Sequence, residues 1–302
     1  MSHSFVTLPY MSKPQKLAKM LSGIPVRDAI ADTLKEFVIN RAISKLSIPH
    51  LAIIQIGDLD ESSAYIRQKK IFGEKIGATV THVQFAGDVS EKSVISKIHK
   101  LNEDESVHGI IVQLPLPGHI DTERVIEAID PSKDVDGLTS KNVKRLIGND
   151  GKGIVPATAR GVLALCRAYN IDPKGKHVVV IGRSVLVGKP IAELFLNEGA
   201  TVTVCHKQTK RLADHTVRAN ILIVAAGAPG LIRARHVREG QVVIDVGITA
   251  KASRSKNGLR KLVGDVDAKC VSRIVKGLSP VPGGVGPLTV ASLFENLCEV
   301  VK

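Results

Sequence analysis

Tyr65 and Lys69 stand four residues apart in the stretch SSAYIRQKK, so on a helix their side chains share one face, a phenol beside a primary amine. Such a pair is one candidate for chemistry in this chain. The plain reading of such a pair is a surface contact. Three further stretches bear on the choice. Gln113 closes the apolar run GIIVQLPLP, where a polar residue either caps a turn or faces a ligand at the carboxyl end of a buried strand. Asp134 and Asp136, in KDVDG, set two carboxylates two apart before a glycine, a pattern also met in ordinary salt-bridged turns. In PVPGGVGP, residues 280–287, three prolines and three glycines fix a rigid backbone path that permits close approach to a ligand. A bare turn does not require so much.

A second chemistry is written in VVVIGRSVLVGKP, residues 178–190. Four continuous apolar residues predict a parallel strand buried on both faces. Gly182 ends it, Arg183 and Ser184 fill the turn, and Gly188 lets the next helix pack closely, which aims backbone N–H groups at an anion. Ser184 occupies the place of the middle glycine in the dinucleotide fingerprint, so the pattern alone is also compatible with mere structure. The next strand, Thr201 to Cys205, arrives about twenty residues later, where NAD-binding folds carry an acid for the ribose hydroxyls. Here the strand runs instead into His206, Lys207, Gln208, Thr209, Lys210 and Arg211. Unless this is only a solvated basic loop, it suits a 2′-phosphate and predicts NADP over NAD.

The elements needed to place these residues read as α/β throughout. Helical spacing covers Arg27 to Leu46. His50–Ile56, Thr79–Phe85 and Gly109–Leu114 read as strands, and helices lie between and after them: one capped by Ser62 or Ser63 and ending near Gly77, one over Ser90–Leu101, one over Asp121–Ile129. This alternation predicts a parallel, doubly wound sheet. Asp130 to Leu146 is dense in charge and reads as a functional loop, with a boundary near Asn149–Gly153. Thr158–Tyr169 reads as a helix leading into strands near residues 178, 201, 221 and 241. Lys251–Lys261 is a basic, solvent-exposed excursion, and a final helix is expected to pack back on the first domain.

With 302 residues and 44% apolar content, the chain has room for two domains with separate cores. No apolar run is long enough to cross a bilayer. The first 27 residues carry no acid and lack the apolar core of a secretory signal, so a flexible tail on a cytoplasmic protein is expected rather than a presequence. A net charge of +13 calls for an anionic partner, but 3% aromatic content and no Trp leave little stacking surface for single-stranded nucleic acid. Cys166, Cys205, Cys270 and Cys298 stand far apart, a pattern for a reducing compartment rather than for zinc or disulfides.

Taken in order, SSAYIRQKK, GIIVQLPLP, KDVDGLTS, GRSVLVGKP and PVPGGVGPLT resemble the bifunctional methylenetetrahydrofolate dehydrogenase/cyclohydrolase family, over about residues 20–300. The resemblance implies a folate-binding catalytic domain over residues 1–150 and 288–302, a Rossmann-like NADP-binding domain over 151–287, and a cleft between them. It implies NADP-dependent oxidation of 5,10-methylenetetrahydrofolate to the methenyl form and hydrolysis of that to 10-formyltetrahydrofolate, a supply of one-carbon units for purine synthesis. By the same analogy Lys69, Tyr65, Gln113 and Asp136 are catalytic. Tyr65, Gln113, Leu114, Asp136, Pro282 and Gly283 contact folate. Thr158, Gly182, Arg183, Ser184, Lys207, Ile248 and Thr289 contact NADP. No metal, nucleic acid or membrane is implied; a homodimer and polyglutamylated folates are. The chain departs from the family's usual wording at Ala157 and Ala159 in place of Cys and Pro, at Lys144 in place of glycine, at Lys207 in place of a small hydroxyl residue and at Ser22 in place of Asp. The rival readings are a degenerate homologue that binds folate or NADP without turnover, a dehydrogenase of the shikimate type, and a basic nucleic-acid module.

Overall fold

The computed structural model describes residues 17–251 and 261–301, so most of the N-terminal tail and of the basic excursion lies outside the described residues. The first half comprises β1 (Lys19–Met20), α1 (Ile24–Ile43), β2 (His50–Ile56), α2 (Asp60–Ile76), β3 (Thr79–Phe85), α3 (Glu91–Glu103), β4 (Gly109–Val112), α4 (Thr122–Glu127) and α5 (Ser140–Gly148). Three strands form a parallel sheet in the order β3-β2-β4. The central β2 is apolar at nearly every position because helices cover both its faces. α2 stops at Gly77, whose φ of +82° is the left-handed conformation that ends a helix at little cost to glycine.

Two expectations need correction here. Ser62 and Ser63 do not cap α2; Leu59 precedes its first residue, and Ser63 instead donates to Asp58 and accepts from Gln55. The charged stretch Asp130–Leu146 is loop only as far as Thr139, after which α5 begins, with Asn142 and Leu146 turned inward. Lys, Asn and Arg hid that helix behind a polar composition. Lys144 lies on its exposed face, where the glycine-to-lysine departure meets no obstruction.

The second half adds α6 (Ala157–Ala168), β5 (His177–Ile181), α7 (Gly188–Asn197), β6 (Thr201–Cys205), α8 (Leu212–Thr216), β7 (Ile221–Val224), β8 (Val242–Asp245), β9 (Thr249–Lys251), β10 (Lys261–Val263), α9 (Ala268–Val271), β11 (Gly277–Leu278) and α10 (Val285–Val300). Six parallel strands run in the order β1-β11-β8-β7-β5-β6, and β9 and β10 form a small antiparallel pair. β1, from the start of the chain, thus completes the edge of the larger sheet rather than of the smaller one.

α10 ties the halves together. Its Val285 and Leu288 belong to the core around β5 and β7, while Val290, Phe294 and Leu297 belong to the core beneath β2. Gly161 of α6 has Leu288 against it, at a separation that leaves little space for a β-carbon, so α6 and α10 touch nearly backbone to backbone. The departures Ala157 and Ala159 are both buried in the first turn of α6, where small side chains fit the same packing. No helix among the described residues is long and apolar enough to cross a membrane.

Candidate active site

Lys69 sits on α2 with only 8% of its surface exposed, and its Nζ donates to Gln113 Oε1 at 2.7 Å. Gln113, just past the end of β4, is held in turn: its backbone N–H donates to the Ile54 carbonyl, and its Nε2 donates to the Leu114 carbonyl at 2.9 Å. The carboxamide is therefore oriented with its oxygen toward the amine. Burial lowers the Lys69 pKa from its ordinary value, and the Asp136 carboxylate pulls it partly back. Asp136 is displaced the opposite way, raised by burial first, then eased by Lys69 and opposed by Asp134. Burial drives both groups toward their neutral forms, so Lys69 gives up its own proton more readily than an exposed lysine and is freer to accept one from a reacting group.

Asp134 builds the loop that presents Asp136. It is fully buried and accepts from the backbone N–H groups of Gly137 (3.0 Å), Leu138 (3.1 Å) and Thr139 (2.7 Å) and from Asn142 Nδ2 (3.0 Å). Gly137, at φ +72°, lies against Ile154 and Pro156, and Ala157 N–H donates to the Asp136 carbonyl, which docks the loop on the start of α6. Asn296 of α10 then donates to the carbonyls of both Val135 and Val155 at 2.9 Å. Sequence reading singled out neither Asn142 nor Asn296. Their one signal is a buried amide within an otherwise amphipathic helix.

A cleft of about 770 Å³ opens between the halves. Tyr65, Gln68 and Phe72 of α2 line one wall; Asp245, Ile248, Pro282 and Gly283 line the other. Lys69, Gln113 and Asp136 are not among its lining residues and form a separate cluster, joined to the cleft through Tyr65 one helical turn away on α2. Tyr65 itself is 39% exposed, as a residue facing an open cleft should be. Thr158 and Thr289, both half-buried, stand near the N-terminal ends of the packed helices α6 and α10.

At the carboxyl end of β5 the glycine turn is as tight as the sequence demands. Gly182 has φ +119° with the Ala225 carbonyl where a β-carbon would be, and Gly188 lies directly on the Gly182 backbone. The Ser184 hydroxyl accepts from Val187 and Gly188 N–H, both at 3.3 Å. Arg183 Nη2 donates to Gln208 Oε1 at 2.9 Å, which brings the first turn and the basic end of β6 together. Lys207, beside that contact, is exposed. Two cations at this corner, with no acid at the end of β6, fit a phosphorylated ribose. The four cysteines are free, and burial pushes the Cys166 and Cys298 thiols up to about 12, out of range for thiolate chemistry.

Comparison with known families agrees with this geometry. Residues 21–136 match the catalytic domain of tetrahydrofolate dehydrogenase/cyclohydrolase, and residues 156–302 match the NAD(P)-binding domain of the same enzymes. The chain belongs to the tetrahydrofolate dehydrogenase/cyclohydrolase family. The bifunctional protein FolD of Agathobacter rectalis is 45% identical over 288 residues, 95% of this chain and 100% of that protein. The crystal structure of the bifunctional FolD enzyme of Campylobacter jejuni superposes with a TM-score of 0.89 at 41% identity, covering 94% of this chain and 98% of that one. The Trypanosoma brucei FolD, solved with NADP cofactor and inhibitor, gives 0.91 at 38% identity, covering 95% and 98%. As a member of this tetrahydrofolate dehydrogenase/cyclohydrolase family, the chain is a bifunctional enzyme of folate chemistry with an NADP-binding half.

Two further carboxylates shape the nucleotide side of this family member's cleft, and sequence reading missed both. Asp245, at the end of β8, accepts from the N–H groups of Gly247 (3.1 Å), Asp265 (3.1 Å) and Val266 (2.9 Å). Asp265 Oδ2 accepts from Ala226 (2.7 Å) and Gly227 (2.8 Å), so the pair fixes the loops after β7 and β8 and with them Ile248. Burial pushes the Asp245 carboxyl up to about 7. Its folded value lies above its ordinary one, so the stability it contributes is full below about pH 4 and is lost as pH rises through about 7, on the order of 4 kcal/mol. Asp245→Asn cannot ionise. Denaturation at pH 5 and pH 8 should therefore show the stability of the wild type, relative to the variant, falling between the two; an unchanged difference would contradict the shift.

Proposed function

We propose that this dehydrogenase/cyclohydrolase works as a catalytic domain, residues 1–150 and 288–302 with β1 apart, that holds most of the folate, and a nucleotide-binding domain, residues 151–287, that holds most of NADP, each lending a few residues to the other's ligand across the cleft. The observation that carries the proposal is the buried Lys69 amine on the Gln113 carboxamide oxygen, in a chain matched by both domains of the family. NADP, when bound, supplies the hydride acceptor. In the oxidation the two folate nitrogens flanking the one-carbon unit stabilise the developing cation, so the chain's work is alignment. Tyr65, Leu114, Pro282 and Gly283 hold the folate. Asp136 holds the amino-pyrimidine edge of the pterin, whose adjacent donors suit a carboxylate. Thr158, Gly182, Arg183, Ser184, Lys207, Ile248 and Thr289 hold the dinucleotide, with the two cations on its 2′-phosphate.

In the hydration, water adds to the amidinium carbon and gives up a proton. Lys69 takes that proton and Gln113 keeps the resulting ammonium in place; the departing folate nitrogen is then protonated, its C–N bond breaks, and the carbinol O–H gives up its proton as the C=O of the 10-formyl product forms. Homodimer formation, polyglutamylated substrates and a cytoplasmic setting belong to the same reading. The +13 charge supports the polyanionic ligands. The test is absorbance of the methenyl product with NADP and NAD side by side: faster appearance with NADP, then decay to 10-formyltetrahydrofolate, is expected. No methenyl product with either nucleotide would overturn the proposal and favour a binding protein without turnover.

A further inference from the structure

The strands of the larger sheet are all parallel, so their carboxyl ends share the nucleotide side of the cleft and their six amino ends meet at the opposite edge. Backbone hydrogen bonds of 2.8–3.0 Å tie the turns at that edge into one row. Lys19 N–H donates to the Lys276 carbonyl, Lys276 N–H to Gln241, Val242 N–H to Asn220, Asn220 N–H to His177 and Thr201 N–H to Lys176. Every strand of the row has an exposed cation at its entry: Lys19 at β1, Lys276 before β11, Arg238 before β8, Arg218 before β7, Lys176 before β5, and Lys174, whose stem lies against Gly199, beside β6. At the spacing of paired strands, about 4.8 Å, the row spans about 24 Å. None of the six takes part in an ion pair among the described residues. Lys19 lies over the Tyr169 ring at 5.0 Å, and Arg238 donates to the carbonyls of Val217, Glu239 and Ala219, contacts that hold these charges in place without neutralising them. Acids are few. Asp172 and Glu239 stand in the same turns without an ion pair, and Glu198 is taken by Arg167. Among the described residues, no large apolar side chain is exposed along the edge between Lys276 and Lys174.

We propose that this amino edge is a docking surface for the phosphodiester backbone of double-stranded nucleic acid, bound without regard to sequence. The partner follows from the chemistry. A line of cations, one for each strand, matches a partner whose negative charge also repeats along a line. A duplex carries one such charge about every 1.7 Å of its axis, so the row covers about seven base pairs. Guanidinium and ammonium groups both pair with phosphate oxygens, and contacts to phosphate alone carry no sequence information. Unpaired bases gain nothing here, because the one aromatic ring near the row, Tyr169, already lies under Lys19. A lipid surface lacks the apolar anchors that would enter it along most of the row. The surface stands at the far end of the strands from the Gly182 turn, so duplex and dinucleotide can be held at once.

The test is fluorescence anisotropy of labelled RNA and DNA duplexes with the full chain, over a range of salt. With about four phosphates neutralised, wild-type affinity should fall by roughly 10²-fold between about 50 and about 200 mM salt, alike for both duplexes. Lys174→Gln, Lys176→Gln, Arg218→Gln and Lys276→Gln combined in one variant should remove most of that salt dependence and at least about ten-fold of the affinity at low salt, with Tm unchanged. A second variant loses the same charge elsewhere, by Lys35→Gln, Lys92→Gln, Lys100→Gln and Lys144→Gln, all exposed in the first half of the chain. Its affinity should change by less than about three-fold, since charges beyond about 10 Å are screened. Equal losses in the two variants would reduce the effect to net charge and overturn the surface. So would no binding of either duplex by the wild type at low salt, or tighter binding to phosphatidylglycerol vesicles than to the duplexes.

Discussion

Lys69→Met loses hydration of the methenyl substrate by about 10²- to 10⁴-fold while hydride transfer falls by less than about ten-fold. Methionine keeps the length and apolar stem of lysine and removes only the amine, so the buried pocket stays filled. Gln113 loses its partner, a cost of about 1–3 kcal/mol to local stability. The asymmetry between the two activities follows from the chemistry. Departure of hydride needs alignment and no proton acceptor, whereas attack by water releases a proton into a site where Lys69 is the buried amine at hand. The same argument gives a pH profile: hydration by the wild type rises with pH through the lowered titration of Lys69, and oxidation does not follow it. Separate assays of the two steps on one preparation check this, and equal loss of both in Lys69→Met would move Lys69 out of the chemistry and into binding.

Arg183→Ala reduces kcat/KM for NADP by about 10- to 100-fold, the value of charge-assisted hydrogen bonds of roughly 1.5–3 kcal/mol. It leaves the NAD-dependent rate nearly unchanged. The guanidinium is already placed by Gln208, so a 2′-phosphate takes over a contact that exists rather than ordering a free side chain. Lys207, exposed beside it, contributes a smaller and more salt-sensitive share. Parallel assays with both nucleotides measure the ratio. An equal fall with NADP and NAD would assign Arg183 to the shape of the turn instead of to the phosphate.

Much of the architecture was legible because its cause is local. The apolar runs HLAIIQI and HVVVI are strands covered on both faces, and Gly77, Gly182 and Gly188 stand where backbone conformation or contact leaves no choice. α5 was not legible, since its inward face carries Asn142, a polar residue that the hydrophobic pattern counts as surface. Nor was the pairing of β1 with β11, which joins residues more than 250 apart in the chain and leaves no local trace. In the site, Lys69 and Gln113 were singled out separately by position, but their contact depends on how α2 lies over β4. Asp134 was seen only as half of a carboxylate pair. Its four hydrogen bonds make it the organiser of the loop and Asp136 the group presented. Asp245 and Asp265 carried no signal because each acts on backbone groups far away in sequence.

The most direct measurement is a crystal structure of the enzyme with NADP and a folate analogue bound together. The account predicts the Lys69 amine, still on Gln113, within hydrogen-bonding distance of a water or substituent at the one-carbon position, with that carbon facing the nicotinamide across Tyr65 and Pro282. An analogue lodged elsewhere, or an amine turned away from the one-carbon unit toward bulk solvent, would contradict it.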